Sequence, residues 1–281
     1  MEKEISTRLS TLGHPQRLEI FRLLMRRYPD HVPAGEIAEA LGLKASTLSA
    51  YLSALMQAGL VTQERVGTSL RYAIAMTEVQ GTFDYLLRDC CRGRPELCAP
   101  VSVTSPAEIV PASGGKSRVL FICTGNSARS IFAEAILRKE AGDRFEAHSA
   151  GTKPHSELNP FALEVLERNG HDISALRSKT IAEFQGEGAP EFDFVFTVCD
   201  KAANEDCPAW AGQPVSAHWG VPDPVKVAGT DAEKSLAFRQ AYGALQDRIR
   251  AFTALPFASL DRISLQAAVD DIGRADSGAP A

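Results

Sequence analysis

The stretch VLFICTGNSARS, residues 119–130, decides the fold of the second half of the chain. Its four leading apolar residues predict a buried strand, which ends at a cysteine, and a short loop then leads into a predicted helix. At such a junction the backbone N–H groups and the positive end of the helix dipole face one point, which suits a tetrahedral oxyanion. The pattern Cys-x5-Arg-Ser places a thiol and a guanidinium at that same point.

The loop therefore predicts a cysteine nucleophile that faces a bound oxyanion. Arg129 would bind the anion through parallel N–H groups, and its charge would lower the pKa of Cys123. Asn126 and Ser130 are expected to hold the loop and the thiolate by hydrogen bonds. The residues predicted to bind the oxyanion are Thr124, Gly125, Asn126, Ser127, Ala128, Arg129 and Ser130.

Around this loop, strand patterns alternate with helix patterns. Such alternation is typical of a parallel sheet with crossover helices, so residues 118–273 are predicted to form an α/β domain. The predicted strands are residues 118–123, 145–149 and 192–198, and the predicted helices are residues 130–141, 160–169 and 232–252.

The first part of the chain has a different pattern. Apolar residues at helical spacing predict three short helices, the second ending near Gly42 and the third beginning near Ser46, which is helix-turn-helix spacing. Residues 60–75 then alternate as a two-stranded wing, and a further amphipathic helix covers residues 77–91. Residues 1–91 are therefore predicted to be a winged helix-turn-helix domain, mainly α with a β wing.

Proline and glycine separate the two halves. Residues 92–117 contain several prolines and a Gly-Gly pair without a sustained period, so they are predicted to be a linker. Residues 274–281 are predicted to be a disordered tail.

Length and composition fit two globular domains. The chain has 281 residues, of which 44% are hydrophobic and 23% charged, which excludes collagen-like and wholly disordered classes. No run of about 18 apolar residues occurs, and the first residues are charged, so we expect no membrane span, no secretory signal and a cytoplasmic location. The net charge of −5 divides into +1 for residues 1–100 and −6 for residues 101–281.

The six cysteines fall into two groups of three. Such grouping in a reducing compartment indicates metal binding or redox chemistry rather than structural bridges. Cys90, Cys91 and Cys98 lie within nine residues and could converge on a soft ion with three sulfur ligands, for which trivalent arsenic or antimony fits better than zinc. The alternative is that the adjacent cysteines are small buried apolar groups.

Residues 1–91 resemble the ArsR/SmtB family of metal-responsive winged-helix repressors. The resemblance implies that the second helix of the pair enters the major groove, with Ser46, Thr47, Ser49 and Tyr51 as the contacting residues. Arg65 and Arg71 would meet DNA phosphates from the wing. It also implies a homodimer on an inverted-repeat operator and an arsenite inducer site at Cys90, Cys91 and Cys98.

Residues 118–273 resemble the low-molecular-weight protein-tyrosine phosphatases and the arsenate reductases of the same fold. The resemblance implies that Asp223, in an Asp-Pro pair, is the general acid. Cys199 and Cys207 are the expected second and third thiols of a reductase, with a thioredoxin-like or glutaredoxin-like protein or a low-molecular-weight thiol as reductant. No tightly bound cofactor is expected.

Together these features predict a fused arsenite-responsive repressor and arsenate reductase. A phosphatase needs one thiol and a water, whereas reduction needs two electrons, which a pair of thiols supplies. Two alternatives stay open from the sequence. One is a DNA-binding protein fused to a protein-tyrosine phosphatase, and the other is a pure regulator whose second domain only binds an oxyanion.

Overall fold

Two hydrophobic cores, one in each half of the chain, organise the protein. The computed structural model describes residues 2–90, 115–186, 188–205, 210 and 212–274, which fall into a unit within Met1–Ser105 and a unit within Pro106–Ala281. Most of the predicted linker, 92–117, and of the predicted tail, 274–281, lies outside the described residues. The boundaries 1–91, 92–117, 118–273 and 274–281 therefore stay predictions.

The first unit has the predicted winged helix-turn-helix fold. Its elements are α1 (Glu2–Leu12), α2 (Pro15–Arg26), β1 (Val32–Pro33), α3 (Ala34–Leu41), α4 (Ala45–Gln57), β2 (Val61–Val66), β3 (Ser69–Ile74) and α5 (Met76–Tyr85), followed by a π-helical turn (Leu86–Cys90). The strands form one antiparallel sheet in the order β1-β3-β2. The sequence predicts only two strands here, because β1 is too short to show any alternation.

The turn between α3 and α4 follows from the residue that ends α3. Gly42 has a φ of 62°, in the left-handed region that favours glycine, and the N–H of Leu43 donates to the carbonyl of Ala38 at 2.9 Å. The chain therefore leaves α3 sharply, and α4 packs its buried residues Leu48, Leu52 and Leu55 against the core. This geometry leaves the opposite face of α4 at the surface.

The second unit has the predicted α/β fold. Its elements are β4 (Ser117–Cys123), α6 (Arg129–Ala141), β5 (Phe145–Gly151), α7 (Pro160–Arg168), β6 (Phe194–Thr197), α8 (Asp200–Asn204), β7 (Val215–His218), α9 (Asp231–Thr253) and α10 (Arg262–Arg274). The sheet is parallel, in the order β5-β4-β6-β7. The sequence did not predict β7, α8 or α10, since β7 and α8 have only four and five residues.

The carboxyl ends of these parallel strands meet at one edge of the sheet. Cys123 at the end of β4 is in register with Gly151, and Thr197 at the end of β6 is in register with His218. Behind this edge Trp219 is fully buried, stacks on Phe196 with ring centroids 3.9 Å apart and donates from Nε1 to the carbonyl of Val269. The edge is thus built on a rigid aromatic core.

Within the part of the chain that the structure describes, every helix is too short or too polar to cross a bilayer.

One buried carboxyl group on α10 makes stability depend on pH. Asp270 is 8% exposed, and burial raises its pKa to about 6, although Gln266 donates to Oδ1 at 3.0 Å. A carboxyl whose pKa is raised by folding favours the native state while it is protonated. That contribution is complete below the pKa of the unfolded chain and is lost as the pH rises through 6.

We expect Asp270→Asn to raise the free energy of unfolding by about 2 kcal/mol at pH 7.5 and to change it little at pH 4. Urea unfolding followed by tryptophan fluorescence measures this for the second unit alone, because both tryptophans, Trp210 and Trp219, lie there. Asp247→Asn, at an exposed position of α9, is the control. An equal gain from Asp270→Asn at both pH values would contradict the role of its charge.

Candidate active site

The loop after β4 wraps around the sulfur of Cys123. The backbone N–H of Asn126 donates to Sγ at 3.1 Å, and the hydroxyl of Ser130 lies 2.9 Å from Sγ. Asn126 adopts a φ of 43°, which turns the chain back toward the thiol before α6 begins at Arg129. The sequence predicted both hydrogen-bonding residues, and the structure places them at the sulfur.

A buried polar network holds this loop. The side-chain amide of Asn126 donates to Ser130 and Ser149 at 2.9 Å each, and its oxygen accepts from the backbone N–H of Lys179 at 2.6 Å. Ser149 in turn donates to Oε2 of Glu134 at 2.5 Å, and the Lys179 ammonium lies 2.9 Å from the same oxygen. The buried carboxylate is therefore paired, as a charge in a low-dielectric interior must be.

Two glycines allow the close approach of neighbouring segments to the loop. A Cβ on Gly151 would lie 2.7 Å from the carbonyl oxygen of Thr124, and a Cβ on Gly125 would lie 2.4 Å from the ring of His155. The backbone N–H of His155 also donates to the carbonyl of Gly125 at 2.9 Å. A side chain at Gly151 would displace the loop, whereas one at Gly125 would displace the exposed ring of His155.

Arg129 and Asp223 are brought together across this edge. The guanidinium donates to Oδ2 of Asp223 at 2.9 Å and to the carbonyl of Val221 at 3.0 Å. Asp223 also caps a short 3-10 turn by accepting from the N–H of Val225 at 3.2 Å. The expected general acid thus lies beside the expected anion-binding group, although the two are far apart in the sequence.

A second thiol lies at the rim of the same loop. Cys199 is the N-cap of α8, accepts from the N–H of Ala202 at 3.4 Å and lies 3.5 Å from the hydroxyl of Thr124. Its side chain is buried. Cys207, the expected third thiol, lies outside the described residues.

The direction of the Cys123 pKa differs from the sequence prediction. Burial raises the pKa of this thiol, and the nearby Cys199 acts in the same direction. The hydrogen bonds of Ser130 and Asn126 and the charge of Arg129 oppose that change without overcoming it. The sequence predicted a lowered pKa from Arg129 and the helix dipole, but it could not weigh complete burial or the pairing of Arg129 with Asp223.

These groups surround a cavity of about 370 Å³. Its wall contains Cys123, Arg129, Cys199 and Asp223 together with loop residues 124–125 and 127–128. The exposed residues His155, Lys201, Lys226 and Asp200 and the segment Val221, Pro222 and Val225 complete it, and no motif in the sequence pointed to the three basic ones. A cavity with this much basic character at its rim favours an anionic substrate.

The residues predicted to bind DNA occupy different environments in the first unit. Ser46 and Ser49 are exposed on α4, Thr47 is half-buried, and Arg65 is exposed on β2. Tyr51 is half-buried, with its hydroxyl bonded to Gln16 and its ring 5.0 Å from that of His14, and Arg71 is half-buried opposite Pro33. Lys44, exposed at the N-cap of α4, is a basic group that sequence reasoning missed.

Of the three predicted inducer ligands, the structure describes one. Cys90 is exposed at the end of the π-helical turn, while Cys91 and Cys98 lie outside the described residues. The sensor assignment therefore stays a prediction.

Comparison with known proteins separates the two units. Residues 118–264 match the family model described as low molecular weight phosphotyrosine protein phosphatase, and residues 12–64 match one described as a helix-turn-helix domain. These matches agree with the resemblances seen in the sequence.

Relatives of the second unit are named arsenate reductases. The arsenate reductase of Halalkalibacterium halodurans is 39% identical over 137 residues, which are 49% of this chain and 95% of that protein. The arsenate reductase of Bacillus licheniformis is 37% identical with the same coverage. A solved structure of an ArsR-like transcriptional regulator from Rhodococcus sp. RHA1 is 26% identical, covers 34% of this chain and 89% of its own, and has a TM-score of 0.30.

The match over 118–264 spans just over half of the chain and contains the whole oxyanion loop. Through its second unit, the chain belongs to the low molecular weight phosphotyrosine protein phosphatase family.

Proposed function

We propose that the second unit reduces arsenate to arsenite, with Cys123 as nucleophile and Cys199 as the second thiol. The observation that carries the proposal is the position of Cys199, whose sulfur lies 3.5 Å from Thr124 on the rim of the oxyanion loop. Hydrolysis of a phosphate ester has no use for this thiol, whereas a two-electron reduction requires it. The arsenate reductases among the relatives support the choice of substrate.

The first step replaces an arsenic–oxygen bond by an arsenic–sulfur bond. The Cys123 thiolate attacks the arsenic of arsenate, and Asp223 protonates the oxygen that leaves as water. In the structure the Arg129 guanidinium is paired with Asp223 at 2.9 Å. Binding of the oxyanion therefore replaces Asp223 as the partner of Arg129. Arg129 then supports the negative charge of the arsenate oxygens.

The second step carries the two electrons. Cys199, as a thiolate, attacks the sulfur of Cys123, and a sulfur–sulfur bond forms as the sulfur–arsenic bond breaks. The electron pair of the broken bond stays on arsenic, which leaves as arsenite in the trivalent state. Two thiols have then been oxidised to one disulfide, which balances the reduction.

Cys207 is proposed to attack Cys199 and release Cys123. The resulting Cys199–Cys207 disulfide is then reduced by a thioredoxin-like or glutaredoxin-like protein. A low-molecular-weight thiol is the alternative resolving group, in which case Cys207 is dispensable.

We also propose that the first unit is an arsenite-responsive repressor in the cytoplasm that binds an inverted-repeat operator as a homodimer. Exposure of Ser46, Ser49, Arg65 and Lys44 on α4 and the wing supports a DNA-binding face. Arsenite bound by Cys90 and its two neighbouring cysteines in the sequence would release the DNA. The enzyme unit would then make the ion that the sensor unit detects.

Variants of two cysteines distinguish reductase from phosphatase. Cys199→Ser should abolish thiol-dependent arsenite production and keep para-nitrophenyl phosphate turnover, because only the reduction uses the second thiol. Cys123→Ser should abolish both activities and leave DNA binding unchanged. Wild type that turns over the aryl phosphate and makes no arsenite, with the same aryl phosphate turnover in Cys199→Ser, would identify the protein as a phosphatase.

The hydroxyl of Ser130 provides a test of the thiolate. Because its hydrogen bond opposes the raised pKa of Cys123, Ser130→Ala should move that pKa further upward, so the rate of Cys123 alkylation falls at neutral pH and rises at higher pH than in wild type. Iodoacetamide labelling between pH 6 and pH 10, read by mass spectrometry of the Cys123 peptide, measures this. Ser156→Ala, an exposed serine, is the control, and an unshifted profile in Ser130→Ala would refute the role.

Changing Cys90, Cys91 and Cys98 together to serine should remove the response to arsenite. With a duplex selected from random sequences, wild type should lose affinity by about tenfold or more when arsenite is added, since allosteric coupling is typically of that size. The triple variant should bind the duplex equally with and without arsenite, and Cys199→Ser should respond like wild type. Fluorescence anisotropy measures both, and a response retained by the triple variant would rule out this sensor site.

A further inference from the structure

We propose that Asp200 and His218 are a positioning pair that holds Cys199 against the oxyanion loop for the two-thiol step. The inference rests on the proposed reductase function for its role in turnover, but the contacts that carry it are independent of the substrate. Neither residue touches the sulfur of Cys123 in the cycle described above.

His218 is held rigidly at the end of β7. It is in register with Thr197, its Nδ1 lies 2.8 Å from the Thr197 hydroxyl, and it is 1% exposed. The next residue, Trp219, donates from its backbone N–H to the carbonyl of Thr197 at 2.7 Å. On the other side α10 comes so close that a Cβ on Gly273 would lie 2.5 Å from the His218 carbonyl oxygen.

From this fixed position the imidazole contacts the segment that carries Cys199. Nε2 of His218 lies 3.1 Å from Oδ1 of Asp200, the first residue of α8. Cys199 immediately precedes it as the N-cap of the same helix. Because α8 is short, the hydrogen bond to a buried, immobile ring restrains the orientation of its first turn and of the thiol at its start.

Gly220 leaves room for the contact between His218 and Asp200. A Cβ on this residue would lie 2.7 Å from Nε2 of His218 and 2.8 Å from Oδ1 of Asp200. The φ of Gly220 lies outside the left-handed region, so its backbone conformation does not require glycine. Glycine is needed here because a side chain would collide with the pair. Alanine at this position would force the two groups apart while leaving both in the protein.

The pair should affect one kind of step only. Attack of Cys123 on a phosphate ester uses the loop, Arg129 and Asp223, whereas attack of Cys199 on the Cys123 sulfur depends on where α8 places the second thiol. A small displacement of a reacting group has a large effect on the rate of such an intramolecular step. Loss of the pair should therefore separate the two activities.

Ellman's reagent, an aromatic disulfide, tests this in the full chain with Cys90, Cys91, Cys98 and Cys207 changed to serine. One of the two remaining thiols first displaces a thionitrobenzoate anion and forms a mixed disulfide. The other thiol then attacks that sulfur and releases a second thionitrobenzoate, giving the Cys123–Cys199 disulfide. The second, unimolecular phase measures the mutual position of the thiols without arsenate.

We expect Asp200→Ala and Gly220→Ala to slow the second phase by about tenfold or more. We expect Gly220→Ala, which keeps the Asp200 carboxylate in the cavity wall, to leave para-nitrophenyl phosphate turnover within about twofold of wild type. Asp231→Ala, at the first residue of α9, and Gly243→Ala, where a Cβ meets no atom within 4 Å, are the matched controls and should change neither. Asp200→Asn keeps an oxygen acceptor and should retain a rate near that of wild type.

An unchanged second phase in Asp200→Ala and Gly220→Ala would overturn the proposal. So would an equal loss of aryl phosphate turnover in Gly220→Ala, which would indicate a general structural role, or a rate in Asp200→Asn as low as in Asp200→Ala. Failure of the proposed function has a separate signature, because wild type would then produce no arsenite while the effect of the variants on the second phase persists.

Discussion

The site depends on the buried amide of Asn126. It joins the loop to the start of α6 through Ser130, to the end of β5 through Ser149, and to the backbone of Lys179. In a low-dielectric interior these bonds are mutually supporting, and the loss of one leaves buried polar groups without partners at a cost of about 1–3 kcal/mol each. This network holds the bend at Asn126, and the bend directs the Asn126 N–H toward the Cys123 sulfur.

The same burial opposes the ionisation of Cys123. Removal from water disfavours the Cys123 thiolate, while the Ser130 hydroxyl, the Asn126 N–H and the Arg129 charge favour it, and burial has the larger effect. Part of the Arg129 charge is meanwhile compensated by Asp223. A bound oxyanion that takes over Arg129 would also free Asp223 to act as an acid. One exchange of partners at Arg129 would therefore both bind the oxyanion and release the proposed acid.

The sequence predicted the parts of the fold that local patterns determine. The apolar run of β4 predicted a strand of the sheet and the start of the loop, and the glycine at the end of α3 predicted the helix-turn-helix. Cys199 and Asp223 were identified through family resemblance. It did not predict the position of His155 or the contact of Asp200 with His218. Each of these depends on strand register or on packing between distant segments, which no local periodicity encodes.

The net charge of the second half of the chain differs in sign from the charge of the groups around the cavity. Residues 101–281 carry a charge of −6, which would repel both DNA and an anionic substrate if it were spread evenly. Around the cavity, however, the basic residues Arg129, His155, Lys201 and Lys226 outnumber the two carboxylates, Asp200 and Asp223. Because mobile ions screen exposed charges beyond roughly 10 Å, the field that an anion meets at the loop is set by these neighbours and not by the sum over the domain. An acidic domain can therefore bind an anionic substrate and still avoid the polyanion that the other half of the chain is proposed to bind.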